Sequence, residues 1–102
     1  MQFLIMAYDG TDEDALDRRL AVREKHIENA HGMQLAGNLL FAGALLDDAG
    51  KMIGTMAAVD FPTREDIDSW LETEPYVTGD VWRNIEIQSF RIGPSFEAGY
   101  GK

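Results

Sequence analysis

The order of apolar and amphipathic stretches predicts an α+β domain of ferredoxin-like type, β-α-β-β-α-β. Three observations carry this reading. Four apolar runs of strand length lie at 3–8, 39–46, 52–60 and 85–92. Two stretches of helical period fall between them in the required places. Each is opened by a threonine with an aspartate three residues on, Thr11 with Asp14 and Thr63 with Asp66, which is the pattern of a capping box. A split β-α-β sandwich of this order is a four-stranded antiparallel sheet with both helices on one face.

Residues 3–8 are apolar at nearly every position, and Asp9-Gly10 reads as a turn. Residues 12–31 then form one amphipathic helix, with Thr11 as its N-cap and Gly32 as its stop. On a helical wheel Leu16, Leu20 and Ile27 share an apolar stripe. Arg23 falls inside that stripe, and Arg19 and His26 fall on its flank. Arginine is almost never buried without a partner. This helix therefore carries cationic and titratable groups to the edge of a pocket, or its stripe is narrower than it looks. Strands follow at 39–46 and 52–60, joined by the hairpin Asp47-Asp48-Ala49-Gly50, and Pro62 ends the second of them. A shorter helix runs from the Thr63 cap to about residue 72, with Ile67, Trp70 and Leu71 inward. Residues 73–80 read as a loop containing Glu74-Pro75-Tyr76, residues 81–84 as a short helical turn, and 85–92 as the last strand. The apolar parity of that strand changes from Ile85 and Ile87 to Phe90 and Ile92, which places a bulge near residues 88–89. The domain is thus 1–92, with a glycine-rich tail at 93–102 whose Phe96 and Tyr100 can lie over a site or remain unordered.

Strands one and two are apolar on both faces. Phe3, Ile5 and Ala7 oppose Leu4, Met6 and Tyr8, and Leu39, Phe41 and Leu45 oppose Leu40, Ala42 and Leu46. Helices on one side leave the other side wet, at about 1.5–3 kcal/mol of lost burial per large side chain. A second subunit laid sheet against sheet, as in a dimeric α+β barrel, removes that loss. The alternative is that tail and loops cover the second face within one chain.

Eighteen acidic residues against nine basic give a net charge of −9. That argues against a nucleic-acid binder, which requires a basic face, and disfavours anionic membrane surfaces. The absence of cysteine excludes disulfides and thiolate metal sites. The run at 3–8 is too short to span a bilayer and has no basic residue before it, so neither a membrane span nor a signal peptide is read, and a cytoplasmic location is expected. No nucleotide-binding glycine loop, HExxH, GxSxG or calcium-loop spacing occurs, so no metal and no cofactor is expected.

His26 is the leading candidate for proton transfer, because an imidazole titrates near neutrality. It needs an orienting acid, and Glu74, stiffened by Pro75, is the natural one. The competing reading is a surface histidine and a solvated glutamate. Arg19 and Arg23 lie one helical turn apart and can share an anionic ligand, as guanidinium forks match carboxylates and phenolates. Arg19 can instead pair with nearby acids of 12–17. Tyr76 can donate a hydrogen bond into the pocket or simply pack, Trp70 and Trp82 read as core, and His31 reads as a cation complementing the helix C-terminus.

The chain resembles the YCII-related (YciI-like) family from about residue 3 to residue 92. The resemblance rests on a first strand ending near Tyr8-Asp9, on Arg23-Glu-Lys-His26 with Arg19 upstream, on Gly37-Asn-Leu-Leu-Phe-Ala-Gly43 with Gly54 beyond, and on Glu74-Pro75-Tyr76 ahead of Ile85-Glu-Ile. It implies a dimeric ferredoxin-like α+β barrel with one pocket per subunit and a histidine–carboxylate dyad at His26 and position 74. It also implies, for some members, cofactor-independent elimination or isomerisation of hydroxylated or chlorinated aromatic intermediates. Two departures stand out: the family's acid is usually aspartate where this chain has Glu74, and a proline often follows the glycine where it has Ala44. The expected function is a cofactor-free lyase or isomerase in which His26 moves a proton, Glu74 orients it and stabilises the imidazolium, and Arg19, Arg23 and Tyr76 hold a small anionic, hydroxylated aromatic substrate. The alternative is a non-catalytic dimeric domain that binds a small anion.

Overall fold

The computed structural model describes residues 1–97. The chain runs β1 (Gln2–Asp9), α1 (Ala15–Leu35), β2 (Leu39–Leu46), β3 (Met52–Asp60), α2 (Arg64–Thr73), α3 (Pro75–Thr78), β4 (Trp82–Ser89) and α4 (Pro94–Glu97). The strands form one antiparallel sheet in the order β2-β3-β1-β4, as the ferredoxin-like reading requires. Among the described residues no helix is long and apolar enough to cross a membrane.

Strict alternation along β1 sends Phe3, Ile5, Ala7 and Asp9 to the helix-covered face, where each is buried. Val59, Ala57 and Thr55 of β3 stand opposite Phe3, Ile5 and Ala7 on that face. Ile67 of α2, Tyr76 of α3, Val81 and Trp82 complete the core. Thr63 opens α2 with the expected box: its hydroxyl accepts from the Asp66 N–H, and the Asp66 carboxylate accepts from the Thr63 N–H. The opposite face is half covered. Phe90, just past β4, donates its N–H to the Gln2 carbonyl and meets Phe41 edge to face at 6.3 Å. Leu4, Met6 and Tyr8 remain partly open and Phe41 is 41% exposed.

Helix α1 departs from the wheel. Its inward face is Ala15, Arg19, Val22 and His26, whereas Leu20 is 51% and Ile27 47% exposed. Apolar periodicity alone points the wrong way because the buried polar groups of this face are matched by partners on other elements. The start differs too. Thr11 does not cap α1, which begins at Ala15 behind Asp14. Asp12 instead takes a two-pronged ion pair from Arg18, at 2.7 Å to each oxygen, and that guanidinium holds the Asp12 carboxyl well below the usual carboxylate range. Gly32 does not stop the helix, which continues to Leu35. The stop is Gly37, at φ +82°: its N–H reaches the Gln34 carbonyl while the Asn38 N–H reaches Met33, a Schellman arrangement.

Two further differences lie around the second half. Residues 75–78 form the turn α3 rather than a loop, with Pro75 in its first position and Glu74 as its N-cap. Residues 82–84 belong to β4, and the bulge falls at their end of the strand, where Tyr8 pairs with Asn84 but Asp9 with Trp82. The extra residue turns Trp82 onto the same face as Ile85 and Ile87. Phe90 and Ile92 lie beyond the strand. Of the tail, Phe96 in α4 is exposed, and residues 98–102, Tyr100 among them, lie outside the described residues.

Gly79 closes α3 against α1. A Cβ there would stand 2.8 Å from the Pro75 carbonyl oxygen and 3.2 Å from both Val22 methyl groups. Gly79→Ala is therefore expected to lower unfolding free energy by about 1–3 kcal/mol, read as a lower urea midpoint with an unchanged slope.

Candidate active site

The site is built outward from Asp9. Strand alternation buries its carboxylate at the end of β1, on the face where α1 passes. Arg19 lies over it, 3% exposed, and donates through Nη1 to both carboxylate oxygens at 3.0 and 3.1 Å. Its Nη2 donates to the Thr55 hydroxyl at 3.0 Å, an oxygen that also accepts from Trp82 Nε1 at 3.3 Å. The buried cation is thus paired and hydrogen-bonded, as burial of charge demands. Arg19 Nε alone has no partner among the described residues. The acids of 12–17 do not take Arg19; Asp12 takes Arg18.

Arg19 and His26 are seven residues apart, two helical turns and about 10.5 Å along the axis. The Tyr76 ring fills the space between them. Its plane lies 15° from the His26 imidazole at a centroid separation of 3.8 Å. That leaves the other face for Arg19, whose guanidinium carbon sits 4.7 Å from the ring centre. Burial pushes the Tyr76 phenol above its ordinary value, with Arg19 and Arg23 acting in the opposite sense.

The His26 Nδ1–H donates to Glu74 Oε1, and the same oxygen accepts the Tyr76 backbone N–H at 3.2 Å. With Glu74 as the acceptor of both bonds, Nδ1 faces the carboxylate and Nε2 is the ring nitrogen on the other side. Nε2 has no partner among the described residues. The two residues are 48 positions apart in the chain, and the short helix α3 brings them together.

His26 and Tyr76 line a cleft of about 530 Å³ between α1 and β2. It exists because Ala42, Gly43 and Ala44 of β2, Thr55 of β3 and Ala30 of α1 are too small to close it. Arg23 is exposed at its rim, so the arginine placed inside the stripe by the wheel is the outer one and Arg19 the inner. His31 also lines the cleft, because the helix runs on past it and the expected role at a helix terminus does not arise. No aspartate or glutamate is among the lining residues, in a chain with eighteen of them. Among the described residues no three His, Cys, Asp or Glu gather as a metal site.

Asp9 and Thr55 are site residues that the sequence reading did not single out; Trp82 is core as expected but also touches the site, and His31 lines the cleft. For Asp9 a signal existed: it continues the inward parity of Phe3, Ile5 and Ala7. Thr55 and Trp82 depend on pairing and on the bulge, which no local pattern reveals.

Fold and site together define a ferredoxin-like α+β domain with a histidine–carboxylate pair beside an acid-free cleft. The family model for the YCII-related domain matches residues 1–91, and the chain belongs to that family. It is 28% identical over 97 residues to protein YciI of Escherichia coli, covering 89% of this chain and 97% of the relative. An uncharacterized protein of Haemophilus influenzae matches with the same identity and coverage. Among solved structures it resembles 5-chloro-2-hydroxyhydroquinone dehydrochlorinase from Burkholderia phenoliruptrix in complex with 2,5-dihydroxybenzoquinone, with a TM-score of 0.78, 17% identity and coverage of 91% and 96%. An antibiotic biosynthesis monooxygenase superposes with a TM-score of 0.50 at 13% identity, covering 91% of this chain and 98% of that one. Both structural likenesses are likenesses of fold.

The buried phenol gives a pH expectation. The folded value of Tyr76 lies above that of the unfolded chain, near 10.0, so its contribution is intact below that pH and is lost as pH rises through the folded value. Ultraviolet titration is expected to show one late tyrosinate, and the urea midpoint should fall above pH 10 in the parent but less in Tyr76→Phe.

Proposed function

We propose that this chain is a cofactor-independent lyase or isomerase acting on a small anionic, hydroxylated aromatic substrate. The observation that carries this reading is the His26–Glu74 pair, with Nε2 turned away from the carboxylate and a cleft beside it that no acidic side chain lines. In that role His26 Nε2 takes a proton from the substrate ring or its hydroxyl. The released electron pair forms a new C=C or C=O bond. In an elimination the leaving group departs with its own electron pair; in an isomerisation the imidazolium returns the proton to another carbon. Glu74 holds the tautomer and stabilises the imidazolium. The Tyr76 phenol, kept neutral by burial, and the rim guanidinium of Arg23 hold the developing oxyanion, while Arg19, paired with Asp9, holds the Tyr76 ring in place. The dehydrochlorinase that shares the fold carries a substrate of this chemical class in its name.

The same reading includes a homodimer joined through the open sheet face, because Leu4, Met6, Tyr8 and Phe41 stay partly wet in one chain. Met6→Glu at the centre of that face is expected to yield a monomer by sedimentation equilibrium, and a dimer surviving it would remove this part of the reading.

Chloride release and quinone absorbance report turnover of a chlorinated hydroxyhydroquinone. His26→Ala is expected to lose roughly 10²–10⁴ in rate, and Glu74→Gln to lose rate with binding retained. An unchanged rate in His26→Ala eliminates the catalytic role. Binding by the parent without turnover of any hydroxylated aromatic favours an anion-binding domain instead.

A further inference from the structure

A buried ion pair needs a reason to exist, since apolar side chains of similar volume generally stabilise a core as well or better. Among the described residues Asp9–Arg19 makes no hydrogen bond to Glu74 or His26, and it reaches the imidazole through the Tyr76 ring and, by way of the Thr55 hydroxyl, the Trp82 ring. What Arg19 provides is a plane: its guanidinium lies against one face of Tyr76 and clamps that ring onto the imidazole. What it also provides is a permanent positive charge within about two helical turns of His26, and such a charge opposes protonation of an imidazole. Among the described residues Asp9 is the only carboxylate hydrogen-bonded to that charge.

We infer that Asp9 is a positioning residue for proton transfer, whose buried carboxylate neutralises Arg19 so that the guanidinium can clamp Tyr76 onto His26 without driving the proton off the imidazole. This rests on the proposed role of His26 as the proton carrier. The charged and titratable groups facing His26 are Arg19, Arg23 and His31 from α1, Glu74 and Tyr76 from the α3 region, and Asp9 of β1 through Arg19. β4 presents the uncharged Trp82 ring, edge-on at 6.0 Å, and β2 and β3 line the cleft with uncharged side chains. With Asp9 in place the inner pair carries no net charge, and Glu74 is left as the dominant field on the ring.

The test is the Cε1–H proton titration of His26 by nuclear magnetic resonance in the full chain, with His31→Gln used for assignment. It needs no substrate. A unit charge about 10 Å away, in a medium of effective dielectric near 20, is worth on the order of one pH unit. Asp9→Asn is expected to move the His26 midpoint down by about that amount. Asp9→Glu should leave it near the parent value. Asp9→Asn combined with Arg19→Met, which removes both charges, should bring it back. A purely structural role for Asp9 predicts no such reversal. An unmoved midpoint in folded Asp9→Asn overturns the inference. Should that variant fail to fold, Arg19→Met alone reads the same coupling with the opposite sign: a rise supports the inference and no change overturns it. Glu74→Gln separates the two readings. A lowered midpoint there supports the His26–Glu74 pair whatever Asp9 does, and no change removes the pair itself.

Discussion

One aromatic ring organises this site. Tyr76 enters the two-turn gap on α1 between Arg19 and His26, and its position fixes both neighbours. The ring can sit there only because Glu74 and Pro75 begin a short helix at that point and because Gly79 lets that helix lie against Val22. An aromatic ring held by stacking on both faces has little rotational freedom, so the imidazole that rests on it is also held. The geometry of the His26–Glu74 pair is in this sense a packing result.

The second organising fact is a vacancy made by small side chains. Between the larger Leu39, Leu40, Phe41 and Met52, the sheet residues lining the gap to α1 are Ala42, Gly43, Ala44 and Thr55. Under its N-terminal half the same helix is pinned by Arg19 and by the core around Ile5, Ile67 and Val81. Tight packing at one end and a gap at the other produce a cleft without a dedicated loop. The buried carboxylates of Asp9 and Glu74 are each taken up by a partner, and no acidic side chain lines the hollow, which is a local exception in an acidic protein.

Most of the architecture was legible because it rests on local signals. Strand alternation, the Thr63–Asp66 box and the Asp47–Gly50 hairpin are each decided by neighbours in sequence. His26 and Glu74 could be named from residue chemistry and family likeness, and Tyr76 stood beside Glu74. What escaped was decided by distant partners. The wheel sorted α1 by hydrophobicity and so turned its apolar residues inward, yet Arg19 and His26 are buried because Asp9, Thr55 and Glu74 meet them from other elements. Gly32 carried the right residue type for a stop, but nothing forced the left-handed conformation until Gly37. The register shift that turns Trp82 inward belongs to the pairing of β1 with β4 and is invisible in β4 alone.

Glu74 Oε1 has two obligations. It receives the first N–H of α3 and the N–H of the imidazole. Any event that strengthens one of these bonds must be felt by the other, so the winding of that single helical turn and the uptake of a proton by His26 are thermodynamically linked. Fraying of residues 75–78 and the acid–base state of the ring form one equilibrium. A molecule that steadies the turn would thereby also steady the hydrogen bond between Glu74 and the imidazole.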